Sequence, residues 1–189
     1  LFLLLLCLFA APARPVQADP ATNFARHLTG RQGVRLIHAR ILPMTGDRTT
    51  GLIADGWLDI GAEGRILALG PMSSQPRTSF PTLDCEGRWL TPGLIDANTI
   101  LGLSGHPVTG ITQEQNEVSE RSLPQLRVID GINPLDRAIP RVRASGITTV
   151  YVNPGEETLI SGQGALIKLR PSANIADLVL KAPAALHLN

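Results

Sequence analysis

Cysteine, lysine and aromatic side chains are all scarce in this 189-residue sequence, and each shortage closes off a class of function. Its two cysteines are Cys7 and Cys85. If the first is removed with a leader, no internal disulfide framework can form, and Cys85 reads as a buried structural thiol because no histidine sits beside it to activate it. Lysine occurs only at 168 and 181, and the formal net charge is +1. The basic residues are scattered and form no stripe, so a nucleic-acid partner is excluded as an expectation. Aromatics make up 4% of the chain. No apolar run is long enough to span a bilayer as a helix.

The apolar run from Leu1 to Ala10 is followed by Ala11-Pro12-Ala13-Arg14-Pro15 and by Val16-Gln17-Ala18. Small residues at 16 and 18 with an h-region of this length are the pattern of a secretory signal peptide cleaved after Ala18. An uncleaved anchor is the alternative. The expected organisation is a signal peptide over 1–18, already begun where the sequence starts, then a flexible arm over 19–33. The exported protein would be periplasmic or extracellular, with no stable membrane span once the signal is removed.

What the chain does have is 43% hydrophobic content arranged in short segments. Strands are expected over Val34 to Leu42, Gly56 to Ile60 and Arg65 to Leu69, with Ala62-Glu63-Gly64 as a tight hairpin. A Ser/Pro-rich loop over Ser73–Pro81 precedes a strand over Thr82–Trp89, which a second hairpin-type turn breaks at Glu86-Gly87. These short strands predict a small β-sandwich over 34–91.

Leu90 to Leu101, reading LTPGLIDANTIL, joins a Pro-Gly turn to an apolar pair and then to polar side chains. Leu94-Ile95 reads as a buried strand, with Asp96, Asn98 and Ile100 alternating onto one side. A long polar loop follows to Asn133 and is expected to lie over the strand end. Its carboxylates are either substrate contacts or a solvated loop face. Pro134–Ser145 has helical character, with Pro140 implying a kink or a late start and Gly146 a stop. Ile147 to Val152 is β-branched and nearly all apolar, as befits a strand buried on both faces. Strand, helix and strand in that order make a βαβ unit with a parallel pairing. Gly162 and Gly164 fit neither a P-loop nor a dinucleotide fingerprint and are expected to permit close packing or a turn. Ala165–Leu169 is expected to be a strand.

PGLID, together with the preceding "strand, xxEGR, strand, D-x-x-G" pattern over Val34–Asp96, resembles the amidohydrolase superfamily. The segments QLRVIDGINP, RASGITTVYVNPG and LISGQGALIKLRP extend the resemblance to an exported subgroup near the imidazolonepropionases. It implies an α/β fold: the start of a TIM-like (β/α)8 barrel over 92–189, preceded by a composite small β-sandwich domain. A complete barrel takes about 250 residues, and fewer than a hundred follow Leu94, so the chain is expected to be truncated. The implied chemistry is hydrolysis of carbon–nitrogen bonds other than peptide bonds in a small-molecule substrate, assisted by a zinc-like divalent metal.

In that family the first barrel strand ends in two histidines two residues apart, which bind the metal. Their positions here hold Asn98 and Ile100. An amide oxygen is a weak ligand and an isoleucine is none. Asp96 is expected to be a structural acceptor, and three other residues are candidates for the barrel mouth: His106, if the loop turns back; Lys168, as a base or ligand precursor; and His187, near a further strand end. Surface residues are the plainer reading of all three. The alternative function is an inactive barrel that binds a ligand or a partner.

Expression of the precursor in a bacterial host should yield an exported protein whose first residue is Asp19. Intact-mass measurement retaining residues 1–18 would show an anchor instead.

Overall fold

The computed structural model describes residues 33–44, 51–105 and 113–189. The expected signal peptide, most of the expected arm and His106 lie outside the described residues. The chain divides into two compact units between Pro92 and Gly93. No helix among the described residues is long and apolar enough to cross a membrane.

The first unit is built on β1 (Val34–Ile41), which pairs antiparallel with β2 (Ile53–Ile60). β2 in turn pairs antiparallel with β3 (Ile66–Pro71). Gly64, at φ +74°, closes the tight turn expected between them, and its N–H donates to the Gly61 carbonyl. On the other side of β1 lie β4 (Thr82–Asp84) and β5 (Trp89–Leu90), both parallel to it. The turn at Glu86-Gly87 is therefore not the expected hairpin. Both residues take positive φ, and the chain leaves β1 for one step and rejoins it in the same direction. A matching irregularity in β1 lies opposite, where His38 also has positive φ and its carbonyl accepts from Gly87 N–H. The expected β-sandwich is, among the described residues, a single five-stranded mixed sheet.

Apolar residues of β1 and β2 (Val34, Leu36, Ala39, Ile41 and Leu58) form its core. Beside them Arg35 is buried to 1% exposure, a charge that water cannot reach. Its guanidinium donates twice to the Asp59 carboxylate, at 2.6 Å each. It also donates to the Pro76 carbonyl and lies 4.6 Å from the centre of the Trp57 ring. One side chain thus ties β1 to β2 and to the Ser/Pro-rich loop, with fork geometry matched to the carboxylate. Cys85 is half-buried, and burial pushes its thiol pKa up, with Asp84 adding to the effect and Arg88 opposing it. It is therefore a poor nucleophile, as expected.

The second unit contains β6 (Leu94–Thr99), helix α1 (Ala138–Ala144) and β7 (Ile147–Val152), with β6 and β7 parallel. This is the expected βαβ unit. Pro140 sits in the first turn of α1, where its missing N–H would have had no helical partner, so the helix starts late and does not kink. Gly146 ends it at φ +99°. Ile139 is 2% exposed and packs with Val150, Val152, Ile167 and Leu178 in the core of this unit.

β7 is followed by β8 (Ile160–Lys168), one helical turn at Ile175–Leu178 and β9 (Val179–Leu188). The sheet order is β6-β7-β8-β9, and β8 runs antiparallel to both of its neighbours. Expectation and structure differ here: the strand at 165–169 is the end of a longer strand, and it reverses direction. The seven residues 153–159 separate β7 from β8, too few for a crossover helix, which leaves only an antiparallel return. The architecture is α/β with few helices.

β6 is an edge strand, so Leu94 and Ile95 are 60% and 69% exposed and not buried as their hydrophobicity implies. At its start, a Cβ on Gly93 would collide with the Thr148 side chain. The glycine of the Pro-Gly pair is thus a clearance for β7 as well as part of a turn.

Asp59→Ala should leave Arg35 charged and unpaired, costing about 3–5 kcal/mol. Urea unfolding should show that loss, and an Arg35→Met/Asp59→Leu pair should recover most of it.

Candidate functional site

Parallel strands bring their C-terminal ends to one side, and the residues just beyond those ends form a common surface. Here the ends of β6 and β7 are locked together by Asn153 N–H, which donates to the Thr99 carbonyl at 3.0 Å. An open hollow of about 570 Å³ lies over them, lined by Asn98, Thr99 and Ile100 from β6 and its extension, Gln115 and Asn116 from the long loop, and 153 and 155–157 after β7.

The loop is held down by specific contacts. Gly155 N–H donates to the Gln115 carbonyl at 2.6 Å, and Ser104 Oγ donates to Gln115 Oε1 at 2.8 Å. Asn116 Nδ2 donates to Glu157 Oε1 at 2.8 Å. A Cβ on Gly155 would overlap the Asn116 amide, so only glycine lets the loop lie this close. Further along, Glu117 accepts from Ser119 N–H at 2.9 Å, and the Ser119 hydrogen bonds hold its carboxyl below the usual range. The loop also contributes Leu103, Leu123, Val128 and Ile132 to the buried core. It is a packed cover with a polar lip, of which the sequence showed only the lip.

Asn153 is 2% exposed. Its Nδ2 donates to the Pro154 carbonyl at 2.9 Å and lies 3.4 Å from His187 Nε2. Its Oδ1 has no partner, and neither has Oδ1 of Asn116. A buried acceptor left unpaired costs about 1–3 kcal/mol, and both of these oxygens are packed out of reach of solvent behind the wall of the hollow.

The candidate residues separate clearly. Asn98 and Ile100 line the hollow. Asp96 faces its own strand and accepts from Asn98 N–H at 3.1 Å. His187 reaches the same end, because β9 runs antiparallel to β8 and its last residues pair with the first of β8, beside Asn153. Lys168 does not: it pairs with Thr149 at the start of β7, and its Nζ donates to Thr148 and Thr149 Oγ1 at 3.3 and 3.1 Å. The reversed direction of β8 carries it away from the expected mouth. Asn153, Asn116, Gln115 and Glu157 were not expected. Asn153 had a usable signal, since it is the first polar residue after a buried strand. Asn116 had none beyond loop polarity.

A zinc-like metal does not fit this set. Asn98 is exposed, Ile100 has no donor atom, and among the described residues no three His, Cys, Asp or Glu side chains converge. The lining supplies amide and carboxylate oxygens instead, and no step routed through a metal follows from it.

Gln163 and the glycines around it serve packing. A Cβ on Gly162, which has φ +123°, would lie 2.7 Å from the Leu126 carbonyl, and one on Gly164 would strike the Tyr151 hydroxyl. Gln163 Nε2 donates to the Pro124 carbonyl at 2.9 Å. Burial pushes the Tyr151 phenol up.

Comparison with known proteins gives a consistent picture. An imidazolonepropionase of Sphingopyxis alaskensis is 46% identical over 163 residues, covering 76% of this chain and 38% of that protein. An imidazolonepropionase of Mesorhizobium japonicum is 33% identical over 149 residues, covering 67% of this chain and 35% of that protein. The crystal structure of an amidohydrolase from Thermotoga maritima MSB8 superposes with a TM-score of 0.72 at 28% identity, over 82% of this chain and 38% of that one. The chain thus spans little more than a third of the length of these relatives. No protein-family profile matches it.

Gly155→Ala should displace Asn116 and lift the loop from β7, at a cost of about 1–3 kcal/mol. Faster hydrogen exchange at Gly155 N–H, with β2 unaffected, would report it.

Proposed function

Because the chain belongs to the amidohydrolase superfamily, near the imidazolonepropionases, we propose that it forms the first part of an exported hydrolase of carbon–nitrogen bonds other than peptide bonds. In this reading β6 and β7 are the first two strands of a (β/α)8 barrel and the hollow over their ends is part of its mouth. The observation that carries it is the parallel β6–β7 pair, with a polar hollow lying over its C-terminal ends under a loop tied to β7. The open apolar edge of β6 is where a further barrel strand would pair.

Asn98 and Ile100 take the places of the metal-binding histidines. This chain's share of the reaction is therefore to hold a small-molecule substrate by hydrogen bonds at 98 and 115, while water activation falls to residues elsewhere in the full-length protein. Ile100, 39% exposed in the hollow, favours a second reading, an inactive barrel that binds a ligand.

The full-length protein, assayed on linear and cyclic amides with metal content measured in parallel, should release the cleaved product. A folded, metal-free preparation inert across that panel would establish the ligand-binding reading in its place.

A further inference from the structure

β8 runs antiparallel to both of its neighbours, so β9 points the same way as β7 and the two strands finish toward one end of the sheet. Asn153, the residue after β7, and His187, the last but one of β9, meet there, with Asn153 Nδ2 3.4 Å from His187 Nε2. What an imidazole does at such a place depends on which of its nitrogens carries the proton, and its hydrogen-bond partners decide that.

The Asn153 amide is oriented from its other side. Its Nδ2 donates to the Pro154 carbonyl at 2.9 Å, and turning the amide over would set its oxygen against that carbonyl, acceptor to acceptor. The atom that faces His187 is therefore an N–H donor. A proton on Nε2 would bring two donors head to head beside a side chain that is 2% exposed, where water cannot come between them. The neutral ring meets the amide with a lone pair on Nε2, which puts its own proton on Nδ1.

We propose that Asn153 fixes the tautomer of His187, so that this histidine enters the ligand end of the sheet as a hydrogen-bond donor through Nδ1 and not as a base or a metal ligand through Nε2. Asn153 is then a positioning residue: one hydrogen of its amide is held by the Pro154 carbonyl, and the other sets the ring. What His187 has left to offer is an N–H, which suits an oxygen acceptor such as a carbonyl or carboxylate. The use of that donor rests on the reading of this end of the sheet as the ligand end, while the tautomer is measured apart from any hydrolysis.

The test is long-range proton–nitrogen NMR of the full-length protein carrying isotope-labelled histidine, at about pH 9, above the ordinary histidine range. Loss of signal in His187→Gln or His187→Arg identifies the ring. The wild-type protein should show the form with Nδ1 protonated and Nε2 bare in an excess of at least ~3:1, the order of one net hydrogen bond. Asn153→Asp, which faces the ring with an oxygen, should reverse the ratio, and Asn153→Leu should erase the excess. A merely structural asparagine would leave the ratio unmoved in both variants, and that result would overturn the proposal. Thermal melts identify a variant that fails to fold, and the wild-type ratio decides the matter without them: a ring with its proton on Nε2 refutes the assignment. A shift of the Nε2 signal on adding zinc chloride would refute it too.

Discussion

A strand whose core face is buried inside a sheet must have both edges paired, and β7 is the strand on which that constraint falls in the second unit. Val150 and Val152 are fully buried, so unpaired backbone groups between them would be costly. β6 satisfies one edge and β8 the other. The position of α1 against this strand, the direction of β8 and the meeting of Asn98 with Asn153 all follow. The hollow exists because two parallel strands stop at the same level and the chain turns away beyond each.

The first unit solves a different problem with the same economy. Its sheet is short, and a buried arginine joins its strands where apolar packing alone would leave a gap beside Trp57. Such a pair contributes little net stability but penalises misregister heavily, because any slip that parts Arg35 from Asp59 strands a charge out of water. The interrupted β4–β5 ribbon follows β1 past its irregularity at His38, and three residues of positive φ absorb the mismatch.

Legibility in the sequence followed locality. The separate elements of the βαβ unit, the late start of α1 and the 62–64 turn rest on patterns spanning fewer than twenty residues, and they are present. The turn at 86–87 has the residues of a hairpin, yet a parallel return uses the same left-handed backbone, and only the partner strand distinguishes them. Lys168, a candidate for the mouth with a surface position as its plainer reading, lies at the other end of the sheet for a related reason: strand direction depends on linker length and on what lies alongside, which hydrophobic pattern does not encode. Leu94 and Ile95 have the composition of a core strand and occupy an edge. At the hollow, Asn98 and Ile100 were found through their place in PGLID, whereas Asn116 owes its position to a distant glycine, Gly155.

That dependence on glycine recurs at the start of β6. Gly93 belongs to the segment by which the family resemblance is first recognised, and the reason it must be glycine is the bulk of Thr148 across the parallel ladder. This is a matter of fit between two strands and is indifferent to what the strand carries at its far end. PGLID can therefore outlast the histidines that usually follow it. As a signature it certifies a joint in the framework, and inferring catalysis from it treats a carpenter's mark as a maker's description of use.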